Sequence, residues 1–197
     1  MKRCGWVGSD QIYLDYHDKE WGIPEYDSRA LWEKLILDGF QAGLSWITIL
    51  KKRDAFRLAF AGFDPQIIAQ WGSEEVNTLL QNSDIIRHRG KIESTIGNAQ
   101  AYLRLESNMS FSDRIWGYVG GVPINGGYAG HAQVPTQSPL SSKISKDLKK
   151  YGFKFCGPTI VYAWMEACGL FNNHTLNCFR HQKISGMAKN LERTNLK

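Results

Sequence analysis

Residues 37–50 read Leu-Asp-Gly-Phe-Gln-Ala-Gly-Leu-Ser-Trp-Ile-Thr-Ile-Leu, and two helical patterns meet inside them. Upstream, Leu31, Leu35 and Asp38 fall at i, i+4 and i+7, so one helix face carries two leucines and then a carboxylate. A carboxylate on an apolar stripe costs free energy unless something compensates it. Gly39 and Gly43 are expected to break this helix. Ser45 is expected to cap the next one, whose Ile47 and Leu50 face inward. The corner would then bring Asp38, Phe40, Gln41, Leu44 and Trp46 close together. An ordinary helix–helix corner with a solvated Asp carries the same spacing, so this motif alone does not assign a site.

The rest of the chain sets the context. With 197 residues, 43% of them hydrophobic, it is long enough to bury a sizeable core as one compact unit or two lobes sharing a core. A net charge of +5 favours a polyanionic partner. No apolar h-region follows Met1 and no run approaches the length of a membrane span, so the expected compartment is the cytoplasm. Four cysteines in that compartment argue for free thiols or a metal rather than disulfides.

Residues 1–26 show little helical period but hold Trp6, Tyr13, Tyr16, Trp21 and Tyr26, with Cys4 and His17 among them. Such an aromatic arm could close over a core or line a pocket for a flat ligand. Helices are expected from Asp27 or Ser28 to about Leu37, from Ser45 to about Phe60, briefly after Asp64-Pro65, and from Ser73 to about Gln81. Others are expected from Arg89 to Glu106 and from Phe111 to Val119. No segment alternates long enough to predict a sheet. The glycine- and proline-rich stretch 120–139 reads as a long loop, either functional or a plain connection. Ser138-Pro139 caps a helix to about Tyr151 that carries Lys143, Lys146, Lys149 and Lys150. Another helix ends at Cys168, with Gly169 past its end. Residues 182–197 are polar and basic and are expected to be a flexible tail, or at most a loose helix.

Two constellations carry chemistry. His174 and Cys178 are spaced by one helical turn and make half a tetrahedral site; Cys4 and His17 could supply the rest. Thiolates with imidazoles favour zinc, and four protein ligands would make it structural. Cys156 and Cys168 are the alternative thiols, although both lie in apolar helical surroundings where a buried free Cys is normal. The second constellation is Gly152-Phe-Lys-Phe-Cys-Gly157-Pro-Thr159, a tight hairpin between helices. Its glycines let backbone N–H groups approach an anion, the next helix adds its N-terminus, and Lys154 adds charge for phosphates.

At this point the residues resemble a known family, DNA-3-methyladenine glycosylase I. The likeness spans roughly residues 2–180. It rests on Arg-Cys-Gly-Trp at 3–6, Tyr-His-Asp-x-Glu-Trp-Gly-x-Pro at 16–24, and Gln-Ala-Gly-Leu-Ser-Trp at 41–46. It continues through Ile-Ile-Arg-His-Arg-Gly-Lys-Ile at 85–92, Gly-Phe-Lys-Phe-x-Gly-x-Thr-Ile at 152–160, and His174-x3-Cys178. The resemblance implies an all-α fold of the helix-hairpin-helix DNA glycosylase superfamily. It also implies one structural zinc ion joining the N- and C-terminal segments through Cys4, His17, His174 and Cys178. A single glycosylase domain over 1–181, two helical lobes sharing a central cleft, would be followed by the tail. The implied catalytic residues are Asp38, Tyr16 and Trp46. Trp6, Tyr13 and Trp21 would wall the base pocket. Leu44 beside Gly43 looks like a wedge entering the base stack, and Gly152, Lys154, Gly157 and Thr159 would hold the DNA backbone. The chain departs from the family in one place, carrying Asp38 where Glu is usual.

The activity implied is hydrolysis of the N-glycosidic bond of 3-methyladenine in alkylated double-stranded DNA, by a monomer with no membrane partner, releasing free 3-methyladenine. Flipping is needed because a stacked base cannot be reached. The methylated base is cationic and already a good leaving group, so aromatic faces and one carboxylate suffice to select it. No lysine sits in the corner to form a Schiff base, so no lyase step is expected. No Asp or Glu lies between Glu166 and Glu192, where related hairpin glycosylases place an Asp. The competing reading is a non-catalytic, zinc-stabilised DNA-binding protein that lost activity through Asp38.

Overall fold

The structure is a computed structural model. It describes the backbone of residues 1–195 and the side chains up to residue 188. Helix α1 (Gln11–Lys19) opens the chain, capped by Asp10, whose side chain accepts from the Ile12 N–H. This corrects the expectation of a helix-free arm: the period was hidden because the aromatic face points two ways. Tyr16 and His17, neighbours in sequence, are both buried but belong to different sites.

Helix α2 (Ser28–Gln41) is capped by Asp27, whose side chain accepts from the Ala30 N–H, and α3 (Trp46–Ala59) follows Ser45, whose hydroxyl meets Thr48 Oγ1 at 2.8 Å rather than a backbone N–H. Gly39 therefore lies within α2 and does not break it. A Cβ at Gly39 would sit 3.3 Å from Phe155 of the hairpin, so the glycine lets the hairpin press onto the helix. The break falls at Gly43, whose φ of +82° a side chain rarely adopts. Phe40 is also turned from its expected place. It is buried against Phe56 and Phe60, with ring centroids at 4.7 and 5.6 Å, on the face opposite Asp38. Inward from α3, Ile49 and Leu50 are buried, while Ile47 is half-buried.

Short α4 (Pro65–Ile68) and α5 (Ser73–Gln81) lead into the long α6 (Arg89–Glu106). Lys91 of α6 is buried, and its Nζ donates to the carbonyls of Phe40 and Ala42 at 2.7 Å each, holding the C-terminus of α2 where its dipole favours a cation. After α7 (Phe111–Gly117), the loop expected at 120–139 carries a two-residue strand, β1 (Ile124–Asn125). This pairs in parallel with β2 (Phe171–Asn172). Two residues are too few for alternation to show in sequence.

Helix α8 (Pro139–Lys150) and α9 (Pro158–Ala167) pack on one another through the 151–157 hairpin. Phe153 and Cys156 anchor the hairpin inside; Ser145 Oγ donates to the Cys156 carbonyl at 2.6 Å. Asn98 clasps it from α6, accepting from the Lys154 N–H at 2.8 Å and donating to the Lys154 carbonyl at 3.1 Å. The main core lies between α2, α3, α6 and α9, with Trp32, Phe40, Phe56, Phe60 and Trp164 buried and Trp164 Nε1 donating to the Leu31 carbonyl at 2.9 Å. The expected tail instead begins inside α10 (Phe179–Asn195), which buries Ile184. Ile184, Met187, Ala188 and Leu191 fall at i, i+3, i+4 and i+7, a helical signal diluted by the many polar residues between them. Leu196 and Lys197 lie outside the described residues.

Candidate functional site

Two sites flank α1. On one side, Cys4, His17, His174 and Cys178 are all buried, and their donor atoms lie within 4.8 Å of one another. Cys178 Sγ is 3.5 Å from both His17 Nε2 and His174 Nδ1, and Cys4 Sγ is 3.5 Å from His174 Nδ1. An S···N edge of about 3.5 Å is what a tetrahedron with zinc-like bond lengths requires. The cluster could therefore hold a metal tying the two chain segments together.

Its surroundings complete it. His17 Nδ1 meets Asp18 Oδ1 at 2.7 Å, and Arg3 grips Asp18 with Nε at 2.9 Å and Nη2 at 2.7 Å. The Arg3 hydrogen bond is the main reason the Asp18 carboxyl is lowered to about 2. His174 Nε2 meets the Trp21 carbonyl at 3.1 Å. Partners of this kind fix ring orientation around a metal. Cys178 is held below the thiol range, first by hydrogen bonding with Cys4 and then with the two histidines. Residues 174–178 form a turn preceding α10 rather than a helix, so the pair converges through that turn and not through helical spacing. Cys156 and Cys168, the alternative thiols, lie in the main core.

On the other side of α1 is a cavity of about 250 Å³. It gathers Trp6, Tyr13, Tyr16, Trp21, Asp38 and Trp46, the six pocket residues expected from sequence. The aromatics brace one another: Trp6 meets Tyr13 and Trp21 edge-on at 5.0 Å each, and Tyr16 meets Trp46 at 5.5 Å. Asp38 is 3% exposed, and its Oδ2 has no hydrogen-bond partner among the described residues; neither has Trp46 Nε1. Burial pushes the Asp38 carboxyl well above the carboxylate range. The Lys34 charge partly offsets that push, and Glu166 adds to it. Tyr16 is likewise raised well above its ordinary value by burial and then by the charge of Asp38.

Beyond the pocket, Leu44 is 41% exposed, carried by the Gly43 turn between Gln41 and Trp46, which both line the pocket. Gly152, Lys154 and Thr159 are exposed on the hairpin and Gly157 is half-buried; a Cβ on Gly157 would meet nothing within 4 Å. The face is open to an approaching backbone. Lys143, Lys146, Lys149 and Lys150 are exposed on α8 beside it.

Four lining residues escaped the sequence reading as pocket residues: His131, Ala163, Glu166 and Ala167. On α9 the last three fall at i, i+3 and i+4. Two small residues around an acid on one face were the available signal. His131 could not have been found, because only the fold returns that loop to the pocket.

A family model described as methyladenine glycosylase matches residues 6–181. The chain is 50% identical to DNA-3-methyladenine glycosylase 1 of Escherichia coli, over 90% of this chain and 96% of that one. It is similar to a crystal structure of 3-methyladenine DNA glycosylase I, with TM-score 0.89 and 52% identity over 90% of this chain and 98% of the other. It also resembles the Staphylococcus aureus enzyme solved to explain 3-methyladenine recognition, with TM-score 0.88 and 42% identity over 91% of this chain and 96% of that one. The fold, the pocket and these likenesses agree: the chain belongs to the methyladenine glycosylase family.

Proposed function

We propose that this protein is a monofunctional DNA glycosylase that removes 3-methyladenine from alkylated double-stranded DNA and leaves an abasic site. One observation carries the reading: a buried carboxylate with an unpartnered oxygen, Asp38, sits inside a cage of aromatic rings. A neutral base offers such a group little, whereas a cationic base offers charge and amine donors. Leu44, exposed on the Gly43 turn, fills the gap left by the flipped base. The hairpin and the α8 lysines hold the phosphates on either side.

Water adds to C1′ as the bond to the base breaks, and the added oxygen loses one proton to solvent. The base takes the bonding electrons and leaves neutral, so it needs no strong general acid. Tyr16 and Trp46 hold it against Asp38. The four-ligand cluster holds zinc in a structural role; with all four positions taken by protein, it leaves none for substrate. Residues 1–181 form the single glycosylase domain, acting as a monomer. None of the described helices is long and apolar enough to cross a membrane, in keeping with a cytoplasmic enzyme.

The test is release of free base from methylated duplex DNA. Free 3-methyladenine and an intact but abasic strand support the reading. DNA binding without release would favour a non-catalytic binding protein, and trapping of a covalent DNA complex by borohydride would contradict the absence of a lyase step.

A further inference from the structure

We propose that Glu166 is a second base-facing, specificity-determining residue, forming with Asp38 a two-carboxylate wall that selects the cationic base. This rests on the pocket being the base site. Glu166 projects from α9 into the same cavity that Asp38 enters from α2. One of its oxygens, Oε1, accepts from Asn173 Nδ2 at 2.8 Å, and Asn173 Nδ2 also meets the Tyr162 hydroxyl at 2.9 Å. The side chain is therefore held in place by a network, with its second oxygen outside that network. Ala163 and Ala167 flank it, so nothing bulky on its own helix stands between the carboxylate and the cavity.

Two carboxylates in one poorly hydrated cavity repel and cannot both ionise cheaply. Burial raises Glu166 to about 7, against an ordinary value of 4.5, with the Asn173 hydrogen bond opposing. The titratable groups around the pair are Lys34 on α2, Tyr16 on α1, Tyr162 on α9, and Tyr128 and His131 on the loop. Lys34 and Glu166 are the charges that act on Asp38, with opposite signs. A cationic base supplies the missing positive charge between the carboxylates. It favours the ionised pair, whereas a neutral base of the same shape leaves that repulsion in place. Selection thus comes from the positive charge that a cationic base places between the two carboxylates, and it strengthens as Glu166 ionises.

The experiment follows Trp fluorescence on titration with two ligands, 3,9-dimethyladeninium as a permanent cation and 9-methyladenine as a neutral counterpart, between pH 5.5 and 8.5. The wild-type protein should bind the cation more tightly as pH rises through about 7, with the neutral ligand changing little. Glu166→Gln keeps the shape and an acceptor for Asn173 Nδ2. It should weaken cation binding about tenfold at pH 8, remove the step near pH 7, and leave the neutral ligand within about twofold. Thermal unfolding of the same variant establishes that it is folded. Cation binding and a pH profile unchanged in Glu166→Gln would overturn the proposal, as would an equal loss for both ligands, which marks a purely structural role. If the wild-type protein binds neither ligand, the base-pocket reading fails as well; if it binds both but Glu166→Gln keeps the wild-type preference for the cation, only the role of Glu166 fails.

Discussion

Tyr16 and His17 are adjacent in sequence, yet they serve two sites of opposite character. The two histidines and their acid are answered in turn: Asp18 by Arg3, His17 by Asp18, His174 by the Trp21 carbonyl. Around Tyr16, Asp38 Oδ2 and Trp46 Nε1 have no partner among the described residues. The acids differ in the same sense. Asp18 is pulled down by Arg3, whereas Asp38 and Glu166 are pushed up by burial. A satisfied polar cluster stabilises a fold, while an unsatisfied one lowers stability and keeps binding capacity in reserve. The first site is therefore built to hold the chain together, and the second to wait for a ligand.

The largest expected effect comes from breaking the satisfied site. Cys178→Ala removes one of the four residues that could hold a metal and so opens the proposed closure between segments more than 150 residues apart in sequence, Cys4 and His17 against His174 and Cys178. Loss of a structural metal costs several kcal/mol, and about 4 kcal/mol would lower Tm by roughly 8–16 °C in a chain of this size. Elemental analysis should find about one zinc per wild-type chain and less in the variant. Trp6, which packs 5.4 Å from His17, should report a loosened arm by fluorescence. Unchanged zinc in both Cys4→Ala and Cys178→Ala would remove the metal from this account.

A much smaller effect is expected at the hairpin, which belongs to neither site. Lys154→Ala removes one exposed charge and leaves the backbone clasp of Asn98 in place. DNA affinity should fall modestly and equally for methylated and plain duplexes, with the slope of log K against log salt shallower by about 1. A selective loss for methylated DNA would place Lys154 in recognition rather than in backbone holding.

Most of the helical skeleton was legible in the sequence, because its signals are local. Asp27, Ser45, Asp64-Pro65 and Ser138-Pro139 mark helix starts that the structure keeps. The inward turn of Asp38 followed from its spacing to Leu31 and Leu35, all three buried. What escaped depends on long-range packing. Gly39 looked like a helix breaker because its packing against Phe155 is invisible along the chain. Phe40 looked like a pocket residue because the glycines on either side of it suggested an open turn, whereas it lies inside α2 two residues on from Asp38 and so on the opposite face. It packs in the core against Phe56 and Phe60 and therefore does not limit the space for a longer acid at position 38. Glu166 and His131 reach the pocket from elements far away in sequence. Helix α1 went unseen because its two buried aromatic neighbours face two sites rather than one stripe.

The central claim is that the pocket carries an uncompensated carboxylate whose partner is the cationic base. Asp38→Asn tests it directly, since it keeps the shape and removes the charge. The account predicts opposite movements in one variant. Single-turnover release of 3-methyladenine, at equal DNA occupancy, should fall about 100-fold, or roughly 2.7 kcal/mol. Thermal stability should stay equal or rise. The sign follows from the raised carboxyl: the folded protein holds its proton where the unfolded chain releases it. The wild-type protein therefore loses relative stability as pH rises above the ordinary value of 3.8, and the advantage of Asn should grow over that range. Release equal to wild type would contradict the account and reduce Asp38 to a residue of the helix end, leaving the corner's chemistry to Tyr16 and Trp46.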